Sequence, residues 1–284
     1  MSFLWFTEDG EKRCANTWRA EGANGVVACV HGMGGAGEQF APLPEMVKGF
    51  SFYALDLRGQ GRDPVVSRRG LALNVEWQMR DIAAFLKAVR QAHPDEPLYL
   101  MGESMGSLLV ASYAAGGDRG AELGLSGVIL SAPVVALIRA VPKPVRLILR
   151  TLGKMFPNYR LSPNRFVNGN TTAPPITRDR AYQDSLKEKT HYISNFSLGF
   201  LVELGALIDG SKAIAKKIKL PTLVLAAGQD CYVRIDQVES WFHQITSENK
   251  TLRVYPDAYH LLWHDWDKNL VGEDLSKWLS QEKR

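Results

Sequence analysis

The sequence predicts an α/β domain, a mostly parallel sheet of eight strands flanked by helices. Three observations carry this. Residues 26–30, 97–101 and 221–227 are near-continuous apolar runs of strand length, suited to strands buried on both faces. Segments of helical periodicity alternate with them. Gly102-Glu103-Ser104-Met105-Gly106 sits where one such strand gives way to a small-residue helical run, Ser107 to Ala115.

In chain order, strands are expected at 3–8, 14–20, 26–30, 50–56, 97–101, 125–131, 221–227 and 251–255. Phe3 and Trp5 before a polar turn read as an edge strand. The helix after Asn74 is the clearest. Val75, Met79, Ile82, Leu86 and Val89 form one apolar face, Asn74 is its expected N-cap, and His93-Pro94 stops it. A last helix over about 267–281 is expected to turn Leu270, Leu275, Trp278 and Leu279 toward the sheet. Residues 1–132 and 220–284 form the core, and 133–219, rich in Pro, Arg, Lys and bulky apolar residues, are an insert after the sixth strand.

Composition bounds the class. The 284 residues, 45% hydrophobic and 23% charged, suit one large enzyme-sized domain. Three unpatterned cysteines, Cys14, Cys29 and Cys231, argue against a disulfide framework or a zinc site and for a reducing, cytoplasmic setting. Cys231 beside Asp230 is expected to pack rather than react. The first ten residues are too short and acidic for a signal peptide. No stretch approaches 18 uninterrupted apolar residues, so no membrane span is expected, and a mild net charge of +4 with no nucleic-acid motif leads to the expectation of no nucleic-acid partner.

The chemistry lies in four loops. G-x-S-x-G between strand and helix reads as a nucleophile elbow, with Ser104 at a tight turn above a helix N-terminus. His31-Gly32-Met33-Gly34-Gly35 follows the third strand and can supply a second oxyanion donor, the Met33 N–H, beside that of Met105. Asp230 follows the seventh strand and His260 the eighth. The order Ser104, Asp230, His260 is nucleophile, acid, base. His264 is the rival base; His260 comes sooner after its strand.

These residues resemble a serine hydrolase of the α/β-hydrolase superfamily, and within it the monoacylglycerol lipase and lysophospholipase group. The likeness covers nearly the whole chain. It includes Asp56 to Arg62, the elbow, Gly228-Gln229-Asp230, Lys250-Thr251-Leu252, Ala258-Tyr259-His260 and, in the insert, Tyr182-Gln183-Asp184. Four positions depart from the group's pattern: Gln60 for a histidine, Asp63 for a serine, Asp257 for a turn glycine and Ser185 for a proline. Asp at 257 is compatible with a left-handed turn. The resemblance implies a lid in the insert, no metal or organic cofactor, and an ester or lipid substrate. A thioesterase, peptidase, C–C bond hydrolase, small-ester carboxylesterase or non-catalytic ligand-binding homologue shares the fold. In the insert, Arg139, Lys143, Arg146, Arg150 and Lys154 recur at helical spacing beside Leu147, Ile148, Leu149 and Leu152. This is a basic amphipathic stripe suited either to a solvated face or to peripheral contact with anionic lipid. Pro142 and Pro144 are expected to confine the helix to the residues after them.

Overall fold

A computed structural model describes residues 2–71, 73–116, 123–139, 141–162 and 174–281. Residues 163–173 of the predicted insert therefore lie outside the described residues. The strands are β1 (Ser2–Phe6), β2 (Lys12–Trp18), β3 (Val26–Val30), β4 (Ser51–Leu55), β5 (Leu98–Glu103), β6 (Leu125–Ser131), the short β7 (Arg160–Leu161) and β8 (Phe196–Ser197), β9 (Thr222–Ala227) and β10 (Lys250–Tyr255). The helices are α1 (Leu43–Met46), α2 (Val75–Ala92), α3 (Met105–Ala114), α4 (Lys143–Met155), α5 (Arg180–Ser185), α6 (Leu198–Ala215), α7 (Ile235–Phe242) and α8 (Lys268–Gln281).

Eight strands form one sheet in the order β1-β2-β4-β3-β5-β6-β9-β10. β2 runs antiparallel to both β1 and β4; every other neighbouring pair is parallel. The pleat sorts the apolar runs into two layers. Val26, Ala28 and Val30 of β3 join the layer under α2 and α3, while Val27 and Cys29 join the layer that holds Leu275 and Trp278 of α8.

Local signals behave as their chemistry requires. Asn74 caps α2 by accepting from the Trp77 N–H at 3.0 Å, and His93 ends it. The first two strands each end two residues earlier than expected, and the turn between them forms at Thr7 to Gly10, with Gly10 at φ 84°. In α8, Val271, Leu275 and Trp278 make the buried face; Leu270 lies off it, half exposed, against expectation. Pro144 stands inside the first turn of α4, where no N–H bond is lost. Asp257 is not among the described residues of positive φ, so its turn needs no left-handed backbone.

The Asp56 to Arg69 segment is pinned by buried charge. Asp63, fully buried, accepts from the Arg13 and Arg68 guanidinium groups and from the N–H groups of Gly59 and Val65. Burial disfavours its charge, but the Arg68 bond, the Gly59 N–H and the Arg13 charge outweigh that and hold its carboxyl below the usual range. Asp56 accepts from Gly37 N–H at 2.8 Å and from Arg62. Among the described residues no helix is long and apolar enough to cross a membrane.

Asp63→Ala strips a fully buried Arg13–Asp63 pair of one partner, and loss of a buried ionic partner costs about 3–5 kcal/mol. Urea denaturation at pH 7 is expected to read a loss of that size, with the m-value unchanged.

Candidate active site

The elbow is set by backbone contact. Ser104 has φ 58° and ψ −120°, a conformation an L-residue adopts only when its surroundings enforce it. They do so here. A Cβ on Gly106 would lie 2.2 Å from the Val30 carbonyl oxygen, and one on Gly102 would lie 2.4 Å from that of Gly106. The two glycines let α3 start against β3 and β5 with Ser104 at the tip. Ser107 locks the turn by donating to the carbonyls of Gly102 and Ser131, each at 2.8 Å.

The structure brings the three predicted polar residues together. His260 Nε2 lies 2.8 Å from Ser104 Oγ, and His260 Nδ1 lies 2.6 Å from Asp230 Oδ2. Asp230 is fixed in turn by the Tyr232 N–H, which donates to its Oδ1 at 2.8 Å. The Tyr232 ring meets the imidazole edge-on at 4.8 Å. Burial works against a charged imidazole, but the Asp230 carboxylate, and more weakly Glu103, outweigh it and raise the His260 pKa above its ordinary value.

The glycine loop after β3 packs on the serine: a Cβ on Gly32 would lie 2.9 Å from Ser104 Cβ. Among the described residues the Met33 N–H donates to nothing in the protein. The Met105 N–H opens α3, where no intrahelical acceptor exists. Both predicted donors are thus free and flank Ser104 in sequence or space. His31 braces this loop. Its Nε2 accepts from the Leu57 N–H at 3.0 Å, so Nδ1 carries the proton and donates to the Gly32 carbonyl at 2.7 Å; burial lowers its pKa. Gln60, one of the four departures, is a part of the site that sequence reasoning missed. Buried, it accepts from the Gly34 N–H at 2.7 Å and holds the loop in place. A polar side chain just after the Asp-Leu-Arg-Gly segment was the only available signal.

His264 is elsewhere. Its Nε2 meets the Gln39 carbonyl at 2.7 Å and its ring stacks on Tyr182 at 3.8 Å. Burial pushes its pKa down to about 4. Around it the insert is tied to the His260 loop. Leu261 N–H donates to the Ile176 carbonyl at 2.8 Å, Thr177 donates to that of His264 at 2.6 Å, and Arg178 forks onto Asp265 and Asp267. Cys231 packs beside the acid loop, its thiol pushed up by burial.

A cavity of about 580 Å³ lies against Ser104, His260 and Gly32, and Val135, Leu201 and Leu204 contribute to its wall. The size and apolar lining suit a ligand with an extended hydrocarbon part. In α4 the predicted stripe is turned around. Arg146, Leu149 and Arg150 line the cavity, and both arginines pair with Asp209 of α6. Leu147, Ile148 and Met155 face away, 67%, 57% and 64% exposed.

Comparison with known proteins agrees with this architecture. The family described as "Serine aminopeptidase, S33" (Hydrolase_4) matches residues 21–267. The phospholipase YtpA of Bacillus subtilis is 25% identical over 258 residues, covering 90% of this chain and 95% of that protein. A monoacylglycerol lipase of Mycolicibacterium smegmatis is 25% identical over 262 residues, covering 90% of this chain and 88% of that protein. The crystal structure of a soluble variant of the Saccharomyces cerevisiae monoglyceride lipase superposes with a TM-score of 0.82 at 22% identity, over 99% of this chain and 95% of that one.

The two histidines are expected to titrate apart. Imidazole NMR should show His264 neutral at pH 6, since burial lowers it to about 4, while His260 gains its proton above the ordinary histidine range. A His264 that protonates first on acidification would reverse the assignment.

Proposed function

The chain belongs to the Hydrolase_4 (serine aminopeptidase, S33) family and is a hydrolase of the lipase and esterase type. From that premise we propose that it cleaves carboxylic esters through an acyl-enzyme, with monoacylglycerol, lysophospholipid or similar medium-chain esters as substrates. The observation that carries this reading is the unbroken relay Asp230–His260–Ser104 opening into an apolar cavity.

The steps follow from the geometry. His260 Nε2 takes the Ser104 proton as Oγ attacks the ester carbonyl carbon. The Met33 and Met105 N–H groups receive the developing oxyanion. Asp230 holds the imidazole tautomer and stabilises the imidazolium. His260 then returns its proton to the leaving alkoxide, the alcohol departs, and an acyl-Ser104 ester remains. Water, deprotonated by His260, releases the acid. No step calls on a metal or an organic cofactor.

We read residues 133–219 as a lid over the site and the remainder as the catalytic core. Val135, Leu201 and Leu204 then hold the acyl chain and exclude water from the acyl-enzyme. The outward face of α4 is assigned to a lipid surface, because Leu147, Ile148 and Met155 are exposed beside Lys154 while Arg146 and Arg150 spend their charge on Asp209.

Ser104→Ala is expected to abolish ester hydrolysis and fluorophosphonate labelling without loss of folded protein. His260→Ala and Asp230→Asn should each lower kcat on the order of a thousandfold or more, and His264→Ala far less. A p-nitrophenyl ester chain-length series, monoacylglycerol, lysophospholipid, a thioester and an aminoacyl anilide tested side by side identify the bond. Preference for the anilide would replace the esterase reading with the peptidase one.

The double change Leu147→Asp and Ile148→Asp removes two exposed side chains worth about 1.5–3 kcal/mol each when fully buried. Co-sedimentation with anionic vesicles is expected to weaken at least about tenfold, with acetate-ester kinetics unchanged. Equal loss of both would return α4 to a purely internal role.

A further inference from the structure

The pleat of β5 gives Glu103 a place that the relay leaves unused. Tyr99 and Met101 point into the layer that holds Ala258, Leu262 and Trp263, the residues flanking His260. Glu103, two residues further on, points the same way. It ends the strand immediately before Ser104, whose Oγ is bonded to the imidazole. The side chain is buried, and Oε1 has no hydrogen-bond partner among the described residues. A buried carboxylate oxygen left without a donor is costly and unusual, and such groups concentrate where they act on a neighbour.

The titratable groups coupled to its charge come from three elements. Cys29 lies on β3, Tyr182 on α5 and His260 on the loop after β10. Burial, reinforced by the Glu103 charge, pushes both the Cys29 thiol and the Tyr182 phenol far up, so neither changes charge near neutrality. His260 is thus the one partner of the three that does. From its own side, His260 faces Asp230, Glu103 and the ring of Tyr232, whose phenol burial also keeps neutral.

We propose that Glu103 is a positioning residue for His260, a second buried carboxylate whose charge stabilises the imidazolium formed while Ser104 attacks the ester. The role rests on the ester-hydrolase reading above. No proton reaches Glu103: it leaves Ser104 Oγ for His260 Nε2 as the Oγ–carbon bond forms. With Oε1 unpartnered among the described residues and the residue buried, its charge is less screened from the imidazolium than it would be in water. Burial raises Glu103 itself to about 7, with the His260 charge pulling it back, so its ionisation falls in the range where the enzyme would work. The two titrations are therefore coupled.

The experiment is kcat and KM for p-nitrophenyl butyrate from pH 5 to 9, on wild type, Glu103→Gln and Glu103→Asp, with fluorophosphonate labelling of each. In Glu103→Gln the acidic limb of kcat/KM is expected to move down by roughly half to one pH unit, because the imidazolium has lost a neighbouring charge. The kcat plateau should fall about tenfold and KM stay within about twofold. Glu103→Asp, which keeps the charge, should retain the wild-type limb. Below about pH 4.5 the side chain is neutral folded or unfolded; between there and about 7 the folded chain holds the extra proton, so stability falls as pH rises. Glu103→Gln should therefore exceed wild type in Tm by more at pH 8 than at pH 5. Should the glutamine variant fold poorly, Glu103→Met supplies a neutral chain of similar length and must show the same displaced limb. Superimposable limbs in a labelled, active wild type and a labelled neutral variant overturn the role of Glu103 alone. A wild type that neither labels nor turns over esters overturns the hydrolase reading instead.

Discussion

The site depends on one strained residue. Ser104 holds a backbone conformation that an L-residue avoids, and it does so because β5 ends and α3 begins within van der Waals contact of β3. The glycines on either side are the only residues that permit this approach. From this follow the exposure of Oγ, the free Met105 N–H at the head of α3, and the packing of Gly32 against the serine. The sheet order matters for the same reason: β3 and β5 are neighbours, so the loop after one and the elbow after the other share an edge. β9 and β10 bring Asp230 and His260 to that edge from the far side.

Electrostatics then divide the histidines. His31 and His260 are buried and His264 partly so, yet the three end in different states because their partners differ. His260 has a carboxylate, and the charge is favoured. His31 has a backbone N–H on one nitrogen and a carbonyl on the other, which fixes a neutral tautomer. His264 has one carbonyl and an aromatic face, and burial prevails. A histidine's place in the sequence says little about this; the atom opposite each ring nitrogen decides it.

Residues 133–219 are joined to the His260 loop through Ile176, Thr177, Arg178 and Tyr182, so they are part of what holds His260 in position. Helix α4 packs Gly153 against Val202 of α6 and sets Leu149 in the cavity wall, Arg146 and Arg150 pair with Asp209 at the rim, and Leu147, Ile148 and Met155 turn to solvent.

Much of this was legible in the chain. Apolar runs gave the parallel strands, Asn74 and His93 bounded α2, and the spacing of Ser104, Asp230 and His260 singled out three residues that the structure brings within hydrogen-bond distance. Periodicity and capping are local, and each of these signals lies within a few residues of what it specifies. What escaped the sequence was relational. The amphipathicity of α4 announced two unlike faces, but which one turned inward depended on its packing against α6, about fifty to sixty residues away. Leu270 fell off the face of α8 because the register of that helix is set by what it packs on. Gln60 carried no signal of its own, since its role exists only where the third strand's loop crosses it. Glu103 read as the variable residue of a G-x-S-x-G turn. Only the pleat of β5 buries it with Oε1 unpartnered among the described residues, on the layer that holds the residues flanking His260.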